Sequence, residues 1–374
     1  MRAGVTGHEG FVGKHVMRAL KRRGIGDVIG LDRAQGGLLD RAAVDRFVDS
    51  VDAVIHLAGV NRASSEQEFV DGNVEATRRL LEAMAARGRK PKIVFSSSIH
   101  AGRPDPYGRT KLAAEELVAE FARRHGFPAV ILRVTNVFGE GCRPFYNSVV
   151  ATFCHQVARG EEPQILVDSE IALVPVSVVA EALVDAVLED PGDGGPVRRE
   201  LTSRDVIRVS DLAARLGRFA RERAAGRIPE LSGLLDRHLY ATLLAYYPTK
   251  GMELATQAWK RDARGDLVEL FHFEKQGQIF FSTTRPGVER GNHYHTRKVE
   301  RFLVVKGEAD LRLRHVDSTQ VHTFHLSGAT PRIVEIPVSH THNIVNTGHD
   351  DMVLLIWADE LFDPSDPDTF PLPV

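Results

Sequence analysis

Near residue 250 the hydrophobic pattern changes its period, and no single fold satisfies both halves of the chain. Upstream, short apolar runs such as Ala53-Val54-Ile55-His56-Leu57 alternate with stretches of helical period such as KHVMRALKRRG. Downstream, LVELFHF, QIFFSTTR, RFLVVKG, ADLRLRHV, VHTFHL, RIVEIPV and MVLLIWA follow one another as short alternating strands. Strands interleaved with helices make a parallel, doubly wound α/β sheet, whereas a succession of short strands makes a β-sandwich or barrel. The 374 residues suffice for two domains, each burying its own core. Punctuation at Pro248 to Gly251 sets the expected boundary, giving an α/β domain over 1–248 and an all-β domain over 249–374.

Charge and hydropathy exclude several function classes. The net charge is −2 and no long basic run occurs, so nucleic acid is not an expected partner. No apolar run reaches the roughly 18–20 residues that span a bilayer, and MRAGVTGHEGF leads straight into a fold rather than a signal peptide. A soluble, cytoplasmic protein is expected. Cys142 and Cys154 make no disulfide framework and read as packing residues.

The first strand runs into Thr6-Gly7-His8-Glu9-Gly10-Phe11-Val12-Gly13 and then a helix. A glycine-rich turn there lets backbone N–H groups approach a pyrophosphate, which marks Thr6, Gly7, Gly10, Phe11, Val12 and Gly13 as cofactor contacts. Asp32 closes the second strand, where a carboxylate meets a ribose 2′-hydroxyl; adjacent Arg33 would instead meet a 2′-phosphate, leaving NADH and NADPH both open. Leu57 and Ala58 end the third strand on the same side, and Asn73, opening the next helix, is a further candidate contact. Lys92-Ile93-Val94-Phe95 then delivers Ser96-Ser97-Ser98 at its C-terminal end, where open α/β sheets bind ligands, followed by PYGRTK. Tyr107 and Lys111 stand one helical turn apart. An ammonium so placed is expected to lower the phenol's pKa and fit it to protonate a ketone that accepts hydride, with Ser98 holding the same oxygen.

In the β half, GNHYHTRKVERFLVVKG places His293 and His295 on one strand face, and Glu300 returns from the next strand. His342, in PVSHTHNIVN, is the fourth candidate ligand; three imidazoles and a carboxylate suit Zn²⁺ or another divalent transition metal with a position left for water or substrate.

The glycine turn, the serines and YGRTK resemble the extended short-chain dehydrogenase/reductase superfamily from residue 1 to near 245. By that resemblance RVTNVFGEG and NSVVATFCHQVARG are substrate-side segments, with Arg133, Asn136 and Asn147 gripping a sugar or its diphosphate. The spacing HxH, Glu, Gly, then PxxxxHxxxN resembles the two cupin motifs. RDARGDLVELF, Gln278 and GVERGNHYH are similar to the cupin branch of nucleotide-sugar epimerases. Over nearly the entire chain, HLAGVNR, SSSI with PYGRTKLAAE, YNSVVATFC, RGNHYH and ELFDPSDPDTF resemble the CapF-type family of bifunctional capsular polysaccharide enzymes. That resemblance implies UDP-2-acetamido-2,6-dideoxy-β-L-arabino-hex-4-ulose as substrate. C3 would be inverted in the cupin and C4 reduced with NADPH, giving the β-L-talose, a precursor of N-acetyl-L-fucosamine. It also implies a homodimer, since cupins commonly pair through edge strands. His340, Lys298, His315 and Arg314 are the candidate acid and base residues of the cupin.

Three departures stand out. Ser339 replaces the glycine usual in the second cupin motif, Asp32 favours NADH in an NADPH-associated family, and Val176-Ser177-Val178 lacks the superfamily's acidic residue. A reductase acting on a dTDP-linked 4-keto-6-deoxyhexose, its cupin only dimerising, is the competing expectation. A dehydratase would need an acid near Tyr107, and the segment offers only Asp105.

Overall fold

Six short strands with apolar cores, β1 (Ala3–Thr6), β2 (Val28–Leu31), β3 (Ala53–His56), β4 (Lys92–Ser98), β5 (Ala129–Val134) and β6 (Val197–Leu201), build one sheet. The computed structural model describes every residue except 88–89, 190–194, 204, 227, 255–259, 263–264, 268–276 and 361–364. LVELFHF from Val268 onward, and Ala263 and Arg264 of the DARG turn, lie outside the described residues.

The sheet runs β2-β1-β3-β4-β5-β6 and is parallel throughout. Helices α1 (Phe11–Arg22), α2 (Arg41–Asp49), α3 (Ala76–Ala86) and α4 (Pro106–His125) connect the strands. Both faces are buried. Val44, Phe47, Leu80, Leu81, Val118 and Phe127 pack with one face, and Val16, Leu20, Val179, Leu183 and Val184 with the other. This is the expected doubly wound architecture. From β1 the chain crosses to β2 on one side and then to β3 on the other, so a crevice opens beyond the carboxyl ends of β1 and β3.

The β half contains β7 (Glu253–Leu254), β8 (Gln278–Thr284), β9 (Glu289–Tyr294), β10 (Glu300–Lys306), β11 (Glu308–His315), β12 (His322–Ser327), β13 (Ile333–Ile336), β14 (His340–Asn346), β15 (Met352–Ala358) and β16 (Phe370–Pro371). They form two five-stranded sheets, β7-β13-β10-β15-β8 and β12-β11-β14-β9-β16. Phe302, Val304, Ile336 and Leu354 of the first pack against Leu311, Leu313, Phe324 and Ile344 of the second, closing the cupin-like core.

By packing, the described residues divide into a first unit of Met1–Phe138, Phe145–Ser148 and Glu170–Ile207 and a second of Gly139–Pro144, Val149–Ser169 and Arg208–Val374. The second unit thus includes the helices Val149–Val157, Val209–Ala224 and Leu234–Tyr246 as well as the β half. A buried ionic cluster holds it together: Glu335 accepts from Arg301 at 2.8 Å, from Arg223 at 2.5 Å and from the Tyr240 hydroxyl at 3.3 Å. No helix among the described residues is long and apolar enough to cross a membrane.

Candidate active site and metal centre

In the first unit the glycine turn forms a close cradle. Gly7 has φ +71°, and a Cβ there would lie 3.0 Å from the backbone of Ala58; a Cβ on Gly13 would lie 2.2 Å from the Gly7 carbonyl oxygen. Helix α1 begins at Gly10 with no side-chain cap, so its first N–H groups are left for a ligand. This arrangement fits a dinucleotide pyrophosphate. Beneath it Thr6 and Thr77 bracket the buried His56, at 2.7 Å from Nδ1 and 2.9 Å from Nε2. The Thr77 hydroxyl donates to the Asn73 carbonyl, so it accepts from Nε2–H and leaves Nδ1 to accept from Thr6. Burial, then the charge of Lys111, pushes His56 down to about 3 and keeps it neutral.

The other expected cofactor residues are distributed unevenly around the crevice. Leu57 and Ala58 border it, half-buried, as do Phe11 and Val12. Asp32 is half-buried at the end of β2, its Oδ1 accepting from the Ala34 N–H at 2.8 Å and its Oδ2 lying 3.9 Å from His8 Nε2; Arg33 is exposed. Asn73 is buried in a π-helical turn, accepting from Val60 N at 2.7 Å and donating to Val60 O at 2.8 Å and to Thr110 at 3.1 Å. Its amide braces the loop after β3.

Ser98 ends β4, and Tyr107 lies in the first turn of α4, which Asp105 caps by accepting from the Gly108 N–H at 2.8 Å. Asp105 is therefore engaged in helix capping. The electrostatics differ from the expectation. Burial pushes the Tyr107 phenol above its ordinary value, opposed by a hydrogen bond with Ser98. Lys111 does not pull it down, because the ammonium donates to the Ser96 carbonyl at 2.8 Å and stands 4.5 Å from the Phe95 ring centroid. Burial lowers Lys111 itself to about 8, with Glu115 opposing.

The expected sugar contacts have protein partners. Arg133 forms a fork on Glu115, at 2.9 and 2.8 Å, and Glu115 is fully buried with Ser97 donating to the same carboxylate. Asn136 donates to the Ala172 carbonyl at 3.0 Å and Asn147 to that of Asn61 at 3.4 Å; both are exposed. The helix at Val176 follows Pro175 at its cap position, and among the described residues no side chain caps it.

In the second unit, ligand atoms of His293, His295, Glu300 and His342 all lie within 4.8 Å of one another. A register shift between Gly291 and His293 sets His293 directly opposite His342. His295 Nδ1 donates to the Asp368 carbonyl at 2.6 Å, which aims its Nε2 lone pair inward. Among the described residues the buried His295 Nε2, Glu300 Oε2 and His342 Nε2 make no well-formed hydrogen bond; they face one another, Glu300 Oε2 lying 3.2 Å from His295 Nε2 and 3.3 Å from His342 Nε2. Burial, reinforced by His342 and His295, pushes His293 down to about 4, into the neutral form that ligates metals. Such a set of converging orphaned donors fits a divalent transition metal.

Among the acid and base candidates, Lys298 donates to the Pro367 carbonyl at 3.0 Å, and Arg314 to those of Ser318 at 2.8 Å and Pro373 at 2.7 Å. His315 Nε2 lies 2.6 Å from Glu140, a residue the sequence does not single out because the two are 175 positions apart. Ser339 has φ +58°, which explains why glycine is usual at this point of the motif.

A nucleotide cradle with a serine ending β4 and a tyrosine and lysine one turn apart on α4 defines a short-chain dehydrogenase/reductase, here joined to a cupin-like unit carrying a three-histidine, one-glutamate cluster. Residues 3–228 match the NAD dependent epimerase/dehydratase family and residues 260–370 the polysaccharide biosynthesis C-terminal domain. The chain is 37% identical over 371 residues to a UDP-2-acetamido-2,6-beta-L-arabino-hexul-4-ose reductase of Pseudomonas aeruginosa, covering 99% of this chain and 98% of that one. It matches the structure of the capsular polysaccharide assembling protein CapF from Staphylococcus aureus at TM-score 0.63 and 33% identity, covering 100% of both chains. Bordetella bronchiseptica WbmF, solved in complex with NADH, shares the fold at TM-score 0.53 and 20% identity over 59% of this chain and 77% of its own. The chain belongs to the NAD dependent epimerase/dehydratase family, and within it to the CapF type that the sequence strings resemble.

Proposed function

We propose that this protein converts UDP-2-acetamido-2,6-dideoxy-β-L-arabino-hex-4-ulose to the β-L-talose in two steps, C3 epimerisation in the cupin-like unit and C4 reduction in the first unit. The observation that carries the reading is full-length similarity to a reductase named for that hexulose, in a chain holding both a Ser98, Tyr107, Lys111 site and the four-donor cluster.

In the reduction, Gly7, Gly10 and Gly13 would hold a nicotinamide dinucleotide, which would supply the hydride. Tyr107 protonates the C4 oxygen and Ser98 shares that oxygen through its hydroxyl. Lys111, buried beside them, offers positive charge as the phenol gives up its proton. In the epimerisation, the 4-ketone acidifies the C3–H bond, so a base on one face and a proton source on the other suffice. A divalent ion, zinc by the donor set, held by His293, His295, Glu300 and His342 would polarise the ketone oxygen. Asp32 supports use of NADH and Arg33 use of NADPH. A homodimer paired through the cupin-like unit completes the reading.

Proton NMR of the protein with the UDP ketosugar in D₂O tests it. Deuterium is expected at C3 without dinucleotide, and the ketone should disappear when NADPH or NADH is added, their relative kcat/KM reporting Asp32 against Arg33. Tyr107→Phe should abolish reduction and leave exchange intact. Reduction of a dTDP ketosugar, with no turnover or exchange of the UDP sugar, would move the substrate to the dTDP series.

A further inference from the structure

Building on that reading, we propose that Glu140 is the base that removes the C3 proton in the second unit, with His315 as its positioning residue. Glu140 is buried, and both its oxygens are held: Oε1 lies 2.6 Å from His315 Nε2, and Oε2 accepts from the Ser339 hydroxyl at 3.1 Å. The backbone N–H of Asp317 donates to His315 Nδ1 at 3.1 Å. Because that N–H can only donate, Nδ1 carries a lone pair and Nε2 carries the proton it gives to Glu140. Two consequences follow. The one lone pair of His315 is taken up by the Asp317 N–H, so it is not free to act as a base, and the grouping of Glu140, His315 and Asp317 does not serve as a second metal site. What remains is a carboxylate that the neutral His315 imidazole and the Ser339 hydroxyl help to orient. Its loop is anchored by the Tyr246 hydroxyl, which donates to the Cys142 carbonyl.

The surroundings point to a ligand. His340 stands edge-on to His315, ring centroids 5.0 Å apart, and its Nδ1 donates to the Val338 carbonyl at 3.0 Å. That leaves a lone pair on His340 Nε2, which makes no hydrogen bond among the described residues although the side chain is only 5% exposed. A sugar hydroxyl or acetamido N–H would satisfy it. On β14, His340 and His342 share a face two residues apart, about 6.7 Å along the strand, and β11 sets His315 opposite His340. The carboxylate group therefore adjoins the strand face that carries the four-donor cluster.

In the step assigned to Glu140, the C3–H bond breaks and its proton bonds to a carboxylate oxygen. The electron pair forms the C3–C4 double bond as the carbonyl π pair moves onto the C4 oxygen. Water on the opposite face then protonates C3 as the ketone re-forms, and the resulting hydroxide takes the proton from Glu140. Nothing is oxidised or reduced.

Exchange at C3 in D₂O without dinucleotide, measured on the full-length protein with Glu140→Gln and Glu140→Asp, tests the assignment alongside metal content and melting temperature. Glu140→Gln keeps the shape and cannot accept the proton, so exchange should fall 100-fold or more at unchanged metal content. Glu140→Asp draws the carboxylate back by one methylene and should lower the kcat of exchange at least tenfold, with KM within twofold. It decides the matter if the glutamine variant does not fold. Exchange within threefold of the parent in a folded Glu140→Gln, or in Glu140→Asp, overturns the assignment and leaves the epimerase reading standing. Absence of exchange in the parent removes both.

Discussion

Replacing Arg133 separates a structural role from a substrate role. The guanidinium forks onto Glu115 at 2.9 and 2.8 Å, its side chain is 27% exposed, and Glu115 has no exposure. Arg133→Met preserves much of the stem but leaves a buried carboxylate with Ser97 as its remaining donor of the three. Breaking one side of a buried pair costs about 3–5 kcal/mol. At about 2–4 °C per kcal/mol for a unit of this size, the melting temperature should fall by roughly 6–20 °C. Adding Glu115→Leu removes the stranded charge and should recover most of that loss, a non-additivity that a double-mutant cycle reads directly. Arg133→Lys should fall between, since an ammonium cannot reproduce the fork. Calorimetry on the parent, Arg133→Met, Glu115→Leu, the double variant and Arg133→Lys, with KM for the ketosugar, completes the test. A Met variant that melts within about 2 °C of the parent while KM rises at constant kcat would show that Arg133 serves the sugar and that the ion-pair reasoning is wrong.

Three further outcomes are expected. His56 titrates at about 3 when folded against 6.5 when unfolded, so the folded state binds fewer protons. Its contribution is complete above pH 6.5 and declines as pH falls toward 3. Between pH 7 and 5 this loss amounts to about 2 kcal/mol, and His56→Asn should flatten the urea-midpoint profile by that amount; parallel profiles would contradict it. Gly13→Ala puts a Cβ 2.2 Å from the Gly7 carbonyl oxygen and 2.7 Å from His8 Cα, so dinucleotide affinity by fluorescence titration should fall at least tenfold. Gly291→Ala, at φ +106° with a Cβ 2.7 Å from the His342 carbonyl oxygen, should displace β9 and lower bound metal measured by elemental analysis; full metal occupancy would show that the bulge is not needed.

What was legible in the sequence depended on whether a residue's role is set by its neighbours in the chain or by partners that only folding supplies. The glycine cradle, the serines closing β4 and the His293, His295, Glu300, His342 set are spacing patterns, and the fold brings each of them together. Ser339 was visible as a departure, and its φ of +58° supplies the physical reason. Asn73, Arg133 and Arg314 are different: the sequence carries no sign of the protein partners that the fold gives them, Val60 for Asn73, Glu115 for Arg133 and backbone carbonyls for Arg314. Glu140 had no local signal at all, since His315 and Ser339 reach it from 175 and 199 positions away.

Tyr107 and Lys111 fall on one helix as expected, yet the phenol is raised and not lowered, because helical spacing says nothing about burial. In the structure desolvation raises the phenol and lowers the ammonium, and the two effects act in one direction chemically. A raised phenol is protonated at neutral pH, the form that donates to a ketone oxygen as hydride arrives. A lowered phenol would be the base that an alcohol oxidation requires. The Lys111 ammonium, lowered only to about 8, keeps its charge at neutral pH and is present when the phenolate forms. Burial of this pair thus leaves the phenol protonated and the ammonium charged at neutral pH, the forms that the proposed reduction uses.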